Sequence, residues 1–163
     1  MKISIRRGVF ETNSSSCHSV TIKGKEEWRG MENLPKNENN EVEVELGWYS
    51  WGPDELTTPS EKLSYLATMI AEDHNYDEDD FDFEKSYKEL PEIKQLESEL
   101  KEYGYSGIVI TDFRGYCIDH QSLYTNANDA FSYQNFLKDW HVTSVADFLF
   151  NPGIHVIIDN DNH

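Results

Sequence analysis

Two stretches of the chain carry side chains of the kind that perform or orient chemistry. The first is Arg6-Arg7-Gly8-Val9-Phe10-Glu11-Thr12-Asn13-Ser14-Ser15-Ser16-Cys17-His18-Ser19. Short amide and hydroxyl side chains such as Asn13, Ser14, Ser15 and Ser16 bond to nearby backbone and shape tight turns with outward N–H groups, the geometry of an anion-binding concavity. Arg6 and Arg7 would reinforce it with charge, so the expected ligand is a phosphate or carboxylate. The same residue types also build ordinary capped turns between strands, and that reading stays open. No Gly-x-x-x-x-Gly-Lys-Ser/Thr pattern is present, which excludes a P-loop.

The second stretch is Asp119-His120-Gln121-Ser122. An imidazole ordinarily titrates near pH ~6.5, and a carboxylate that orients one ring nitrogen frees the other as a base or ligand. Should the fold bring His18 beside His120, the pair plus Ser16, Cys17 or Asp119 would form a hydrolytic or phosphoryl-transfer site. Gln121 and Ser122 would then join the ligand-binding set. A structural Asp-His hydrogen bond is the competing reading, and geometry must decide between them.

Metal chemistry fails a stricter test. Asp73, Asn75, Asp77 and Glu84 fall at positions one, three, five and twelve of a calcium loop. Position six, however, is Glu78 where the sharp turn needs glycine, and position eight is the charged Asp80. The tail Asp159-Asn160-Asp161-Asn162-His163 lacks further ligands. Neither Cys-x-x-Cys nor His-Glu-x-x-His occurs. No metal and no cofactor are expected.

Charge narrows the partners. The chain has 163 residues, with 31 acidic against 14 basic side chains and a formal net charge of -17. Proteins that grip nucleic acid neutralise phosphates with Lys and Arg, so direct nucleic-acid binding is not expected, nor is docking on an anionic membrane. The charge is polarised: residues 1–25 carry +4 and the remainder -21. The densest run, from Glu72 to Glu84, holds eight carboxylates in thirteen residues without a cation. Such a run repels itself, which predicts an extended, solvated or partner-binding segment around Asp77, Glu78, Asp79 and Asp80. No stretch approaches the roughly 18 consecutive apolar residues of a membrane-spanning helix, and the start MKISIRRGVFETNSSS lacks the apolar core of a signal peptide. The expectation is a cytoplasmic protein, with Cys17 and Cys117 as reduced thiols.

The N-terminal pattern Arg-Arg-Gly-Val-Phe-Glu-Thr-Asn-Ser-Ser-Ser-x-His-Ser, here Arg6 to Ser19 with Cys17 at the variable place, resembles that of a scattered family of uncharacterised phage and prophage proteins from Gram-positive bacteria. Gly47-Trp48-Tyr49-Ser50-Trp51-Gly52, Glu61-Lys62-Leu63-Ser64-Tyr65-Leu66 and Ile118-Asp119-His120-Gln121-Ser122 look similar as well, over shorter spans. The resemblance implies a phage or mobile-element origin and brings no activity with it.

The elements that must position these residues alternate between strand and helix. With 37% hydrophobic and 13% aromatic residues there is enough core material for one globular domain, despite a mean hydropathy of -0.70. Period-two patterns predict strands over Lys2 to Arg6, over His18 to Lys23, and over Val42, Val44 and Leu46, the last with an outer face made of Glu41, Glu43 and Glu45. Residues 32–40 read as a flexible loop, and Gly47 to Pro53 as an aromatic turn. Thr58-Pro59-Ser60-Glu61 offers an N-cap, a proline at the first helical position and a capping-box glutamate, predicting a helix that buries Leu63, Leu66, Ala67 and Ile70. A second helix starts at Pro91, with Ile93, Leu96, Leu100 and Tyr103 on one face and Gly104 as its stop. Gly107 to Thr111 reads as a buried central strand, with Tyr116 to Ile118 returning as its hairpin partner through Arg114-Gly115. Asn128 is positioned to cap a helix through Trp140, Thr143 one through Phe150, and Ile154 to Ile158 to close the sheet. The pattern is α+β, a single domain with a mixed or mainly antiparallel sheet and three to four helices.

Two functions of different class follow. One is an acidic phage-type binding protein that inhibits or redirects a host protein with a basic surface, such as a nucleic-acid-binding or defence protein, by displaying carboxylates as a nucleic acid displays phosphates. Glu41, Glu43, Glu45 and Asp77 to Asp80 would steer the partner, while exposed Trp48, Tyr49 and Trp51 would anchor it. The alternative is a small enzyme or nucleotide-binding module built on the Ser/Asn-rich turn and the Asp119-His120 loop.

Overall fold

The computed structural model describes residues 3–4, 16–22, 34–49, 54–77, 82–118 and 142–160. In chain order the elements are β1 (Ile3–Ser4), β2 (Ser16–Ile22), β3 (Glu41–Glu45), β4 (Trp48–Tyr49), β5 (Asp54–Leu56), α1 (Pro59–Asp77), α2 (Phe83–Ser86), a 3-10 turn (Tyr87–Glu89), α3 (Pro91–Glu102), β6 (Gly107–Asp112), β7 (Cys117–Ile118), α4 (Val145–Phe150) and β8 (Ile154–Asn160). This is the α+β mixture that the sequence pattern predicts. A four-stranded antiparallel sheet in the order β1-β2-β8-β5 is accompanied by two short parallel pairs, β3-β6 and β4-β7.

Alternation decides β3. Val42 and Val44 point into the core and are buried, whereas Glu43 and Glu45 are exposed. Its partner β6 runs parallel, which requires a long crossover, and α1, α2 and α3 lie in the intervening chain. The far edge of β6 is closed by helical side chains: the Ile108 N–H donates to Glu97 Oε1 at 3.1 Å and the Ile110 N–H to the Tyr87 hydroxyl at 3.4 Å. These bonds satisfy backbone groups that burial would otherwise leave unpaired.

The parallel pairing continues beyond β3. Leu46 N–H donates to Asp112 O at 3.4 Å, Cys117 N–H donates to Gly47 O at 3.0 Å, and β4 then pairs with β7. The expected hairpin between β6 and Tyr116–Ile118 therefore does not form. Arg114 folds back onto Asp112 through its backbone N–H and a two-pronged guanidinium contact, Nε to Oδ1 at 3.0 Å and Nη2 to Oδ2 at 2.9 Å. That local clasp ends β6 and sends the chain on in the same direction, so β7 pairs with β4. Gly47 is required at the junction, because a Cβ there would lie 2.4 Å from the Tyr49 ring.

The α1 start follows the capping-box expectation. Glu61 Oε2 accepts from the N–H groups of Thr57 at 3.0 Å and Thr58 at 2.9 Å, and the Glu61 N–H reaches Thr58 Oγ1 at 3.3 Å. Leu63, Leu66, Ala67 and Ile70 are buried as predicted, yet so are Lys62, Tyr65, Thr68, Met69 and Ala71. A helix buried on several sides is a central one: α1 touches β3 and β7 as well as α2, α3 and α4. It also runs further than the charge pattern predicts. Residues Glu72 to Asp77, expected to be extended, a solvated loop or a partner-binding surface, are helical rather than extended or looped, and Asp82 caps α2 by accepting from the Lys85 N–H.

Three smaller differences have local causes. The expected flexible loop before β3 is, over residues 34–40, an ordered turn in which Asn37 Oδ1 accepts from the N–H groups of Asn39 at 2.9 Å and Glu41 at 3.0 Å, with Asn40 in the left-handed region at φ 63°. The cap of α4 is Ser144 rather than Thr143: the Ser144 hydroxyl accepts from Asp147 N–H at 3.0 Å, while Thr143 Oγ1 donates to the Asp147 carboxylate at 3.1 Å. The α3 stop stands as expected, with Gly104 at φ 90° and its N–H on Lys101 O. The expected helix from Asn128 to Trp140 lies outside the described residues.

Candidate partner-binding site

The outer face of β3 meets the first turns of α1 in a groove of 570 Å³, lined by Pro35, Glu43, Val44, Glu45, Tyr49, Ser60, Glu61, Ser64 and Thr111. Each wall has a local cause. Glu43 and Glu45 project from β3 by strand alternation. Thr111 is the extra residue of a bulge, since the register passes from Val44 opposite Ile110 to Glu45 opposite Asp112. A bulge re-aims a side chain, and here it carries the Thr111 hydroxyl to within 3.3 Å of Val44 O, to which it donates. Pro35 closes the strand's other edge through its carbonyl, which accepts the Glu43 N–H at 2.9 Å. Ser60 and Ser64 stand four apart on one face of α1. The Ser64 hydroxyl donates to Glu45 O and accepts from the Tyr49 hydroxyl at 2.8 Å.

The glutamates of β3 are not equivalent. Glu41 is half-buried, accepts from Asn37 Nδ2 at 2.9 Å and pairs with Lys88 Nζ at 3.2 Å. The Asn37 amide and then the Lys88 ammonium hold its carboxyl below the ordinary carboxylate range. Glu43 and Glu45 are exposed, and their carboxylates make no hydrogen bond or ion pair among the described residues. Glu61 is engaged with backbone. Burial opposes its ionisation, but the backbone N–H groups of Thr58 and Thr57 outweigh that and lower its pKa. The groove thus holds two carboxylates without a counter-charge among the described residues and one committed to a helix cap.

The aromatic residues expected beside this row divide. Trp48 is 64% exposed, as a partner anchor should be. Tyr49 is buried, against expectation, because its ring crosses Gly47 and packs edge-on against Tyr65 with centroids 5.1 Å apart. Trp51 lies outside the described residues, as do Glu78, Asp79 and Asp80. Asp77 is at the opposite end of α1 from the groove, roughly 24 Å along the axis from Glu61, so it does not extend the β3 face.

The other candidate site is reached only in part. Ser16, Cys17 and His18 are not in a turn: they begin β2, with backbone partners Asn160, Asp159 and Ile158 on β8. The strand starts two residues earlier than the apolar pattern indicates, because full-length pairing with β8 draws polar residues into it. Arg6, Arg7, Asn13, Ser14 and Ser15 lie outside the described residues, and so do Asp119, His120, Gln121 and Ser122. Among the described residues, no group of three His, Cys, Asp or Glu side chains is placed to hold a metal ion, and no helix is long and apolar enough to cross a membrane.

Sequence reasoning missed Ser60, Ser64 and Thr111 as groove residues. The four-residue spacing of the two serines was a visible sign of a shared helix face, but nothing in the sequence placed that face against β3. No protein-family model matches the chain, and no curated protein or solved structure is significantly similar to it. A functional reading therefore rests on the chemistry of the site.

Proposed function

We propose that this protein is an acidic binding protein that captures a basic macromolecule through the β3 face, with Glu43 and Glu45 as the steering carboxylates and Trp48 as the apolar anchor. The observation that carries it is the contrast within one strand, where Glu41 is paired with Lys88 and Glu43 and Glu45 are exposed, groove-lining and without a counter-charge among the described residues. Carboxylates left in solvent contribute little to folding, so their alignment is available for a partner. Aligned charges also accelerate encounter with an oppositely charged surface. The net charge of -17 supports a basic partner, such as a nucleic-acid-binding protein to which a row of carboxylates resembles a row of phosphates. The resemblance of the Arg6 to Ser19 pattern to phage proteins adds a setting, host takeover or anti-defence, in which such capture inhibits the host protein.

The test is affinity capture from bacterial lysate at low and at high salt, with the native protein and with Glu43→Lys/Glu45→Lys. Proteins retained by the native chain at low salt, released at high salt and lost in the charge-reversed variant are the expected outcome. Capture that survives charge reversal would sink the proposal.

A further inference from the structure

Resting on that reading, we infer that the β3 groove receives an extended segment bearing arginines at alternate positions. Side chains two apart on a strand share a face and are spaced by about 6.6 Å, the span of two residues of extended backbone. Glu43 and Glu45 therefore present their carboxylates at the period at which an extended peptide presents residues two apart. A contiguous basic pair puts its side chains on opposite faces of an extended backbone and offers only one of them to the groove. The groove, at 570 Å³, falls within the size range of specific ligand pockets.

The polar groups around it select guanidinium over ammonium. Thr111 and Ser64 have donated their hydroxyl protons to Val44 O and Glu45 O, and Ser64 Oγ also accepts from the Tyr49 hydroxyl, so what remains is the acceptor capacity of Thr111 Oγ1 and one further acceptor position on Ser64 Oγ. Beside them stand two carboxylates, which accept only. An arginine offers five N–H donors in a planar fork and can meet a carboxylate and a neighbouring hydroxyl oxygen together, whereas a lysine offers a compact point charge. Glu61 matters indirectly: by capping Thr57 and Thr58 it offsets the positive end of α1, which would otherwise repel a cation.

Fluorescence anisotropy with the full chain and three labelled peptides tests this. The peptides carry a pair of arginines in a threonine background, placed at adjacent, alternate or every-third positions. The alternate-position peptide is expected to bind about tenfold more tightly than the other two, and to weaken by several-fold when both arginines become lysines. Glu43→Gln and Glu45→Gln should each abolish the spacing preference, and Glu38→Gln, on the exposed turn before β3, should leave it intact. Equal binding of the three spacings, still dependent on Glu43 and Glu45, would overturn the alternate-position inference and leave capture of a basic partner standing. Equal binding of the lysine version would overturn the choice of arginine. Binding indifferent to Glu43 and Glu45 would overturn both the inference and the reading beneath it.

Discussion

Charge meets this fold in two contrasting places. At the junction of α1, α4 and β8, Lys62 is 0% exposed and its ammonium donates to Asn151 O at 3.1 Å and Ile154 O at 3.2 Å, with the Phe148 ring centroid 5.9 Å away. On β3, Glu43 and Glu45 stand in water without a counter-charge among the described residues. A desolvated charge survives only where fixed dipoles replace its hydration; here Asn151 O is at the C-cap of α4, where a cation is favoured, and Ile154 O is supplied by the start of β8. A solvated charge needs no such support and adds little stability. The same chemical resource thus serves architecture in one place and is left free for recognition in the other, and burial separates the two uses.

The largest effect expected from breaking this contrast is at Lys62. Lys62→Ala would remove a donor from two carbonyls and leave a cavity, and should cost about 3 kcal/mol of folding stability. Lys62→Met keeps most of the volume and isolates the loss of the donor, for which about 2 kcal/mol is expected. Urea denaturation of the two variants measures both. Partner capture by the folded fraction should be unchanged. A Lys62→Met protein as stable as the native one would mean that the ammonium does not hold this junction together.

Trp48 offers the next largest effect, with the opposite pattern. Truncating an exposed ring costs the fold little, while aromatic anchors often dominate an interface. Trp48→Ala is expected to weaken capture roughly tenfold, as read from retained protein across a salt series, with a denaturation midpoint close to the native one. Loss of stability instead of capture would reassign Trp48 to the fold.

The difference between the two regions also explains what the sequence revealed. Period-two alternation in Glu41 to Leu46 and the Thr58-Pro59-Ser60-Glu61 cap are local signals, and β3 and the start of α1 are where those signals put them. The carboxylate face was legible for the same reason, since alternation alone separates Glu43 and Glu45 from Val42 and Val44. What failed was non-local or competing. Lys62 is absent from the expected buried set of Leu63, Leu66, Ala67 and Ile70, because its acceptors at Asn151 and Ile154 are about ninety residues away and no local signal points to them. The β6-β7 hairpin was the cheapest local pairing, but the Asp112–Arg114 clasp and the parallel track of β3 and β4 displaced it. Self-repulsion alone argues against helix over Glu72 to Asp77, whereas these residues continue a helix whose preceding turns are anchored in the core. Nothing local separates the Tyr49 ring from its exposed neighbour Trp48, and only the missing Cβ of Gly47 admits it to the interior.

The smallest effect belongs to Glu61, which sits on the boundary between the two uses because it lines the groove and also caps α1. Its carboxylate is held by the N–H groups of Thr57 and Thr58, which lower its pKa in the folded state below that of an ordinary glutamate. A carboxyl whose pKa is depressed by folding contributes stability that is fully present above its unfolded pKa and is lost as pH falls through the folded one. Glu61→Ala should therefore cost about 1 kcal/mol at neutral pH. Glu61→Gln can still accept in a capping box and should cost less, while removing the ionisable group. The gap between native and Glu61→Gln stability should accordingly close as the solution is acidified below the ordinary glutamate range, measured by urea denaturation at each pH. A gap that stays constant would show that the cap does not depend on ionisation. Closure of the gap together with unchanged binding of the alternate-arginine peptide at neutral pH would assign Glu61 wholly to architecture, and would leave Glu43 and Glu45 as the carboxylates that the fold does not use.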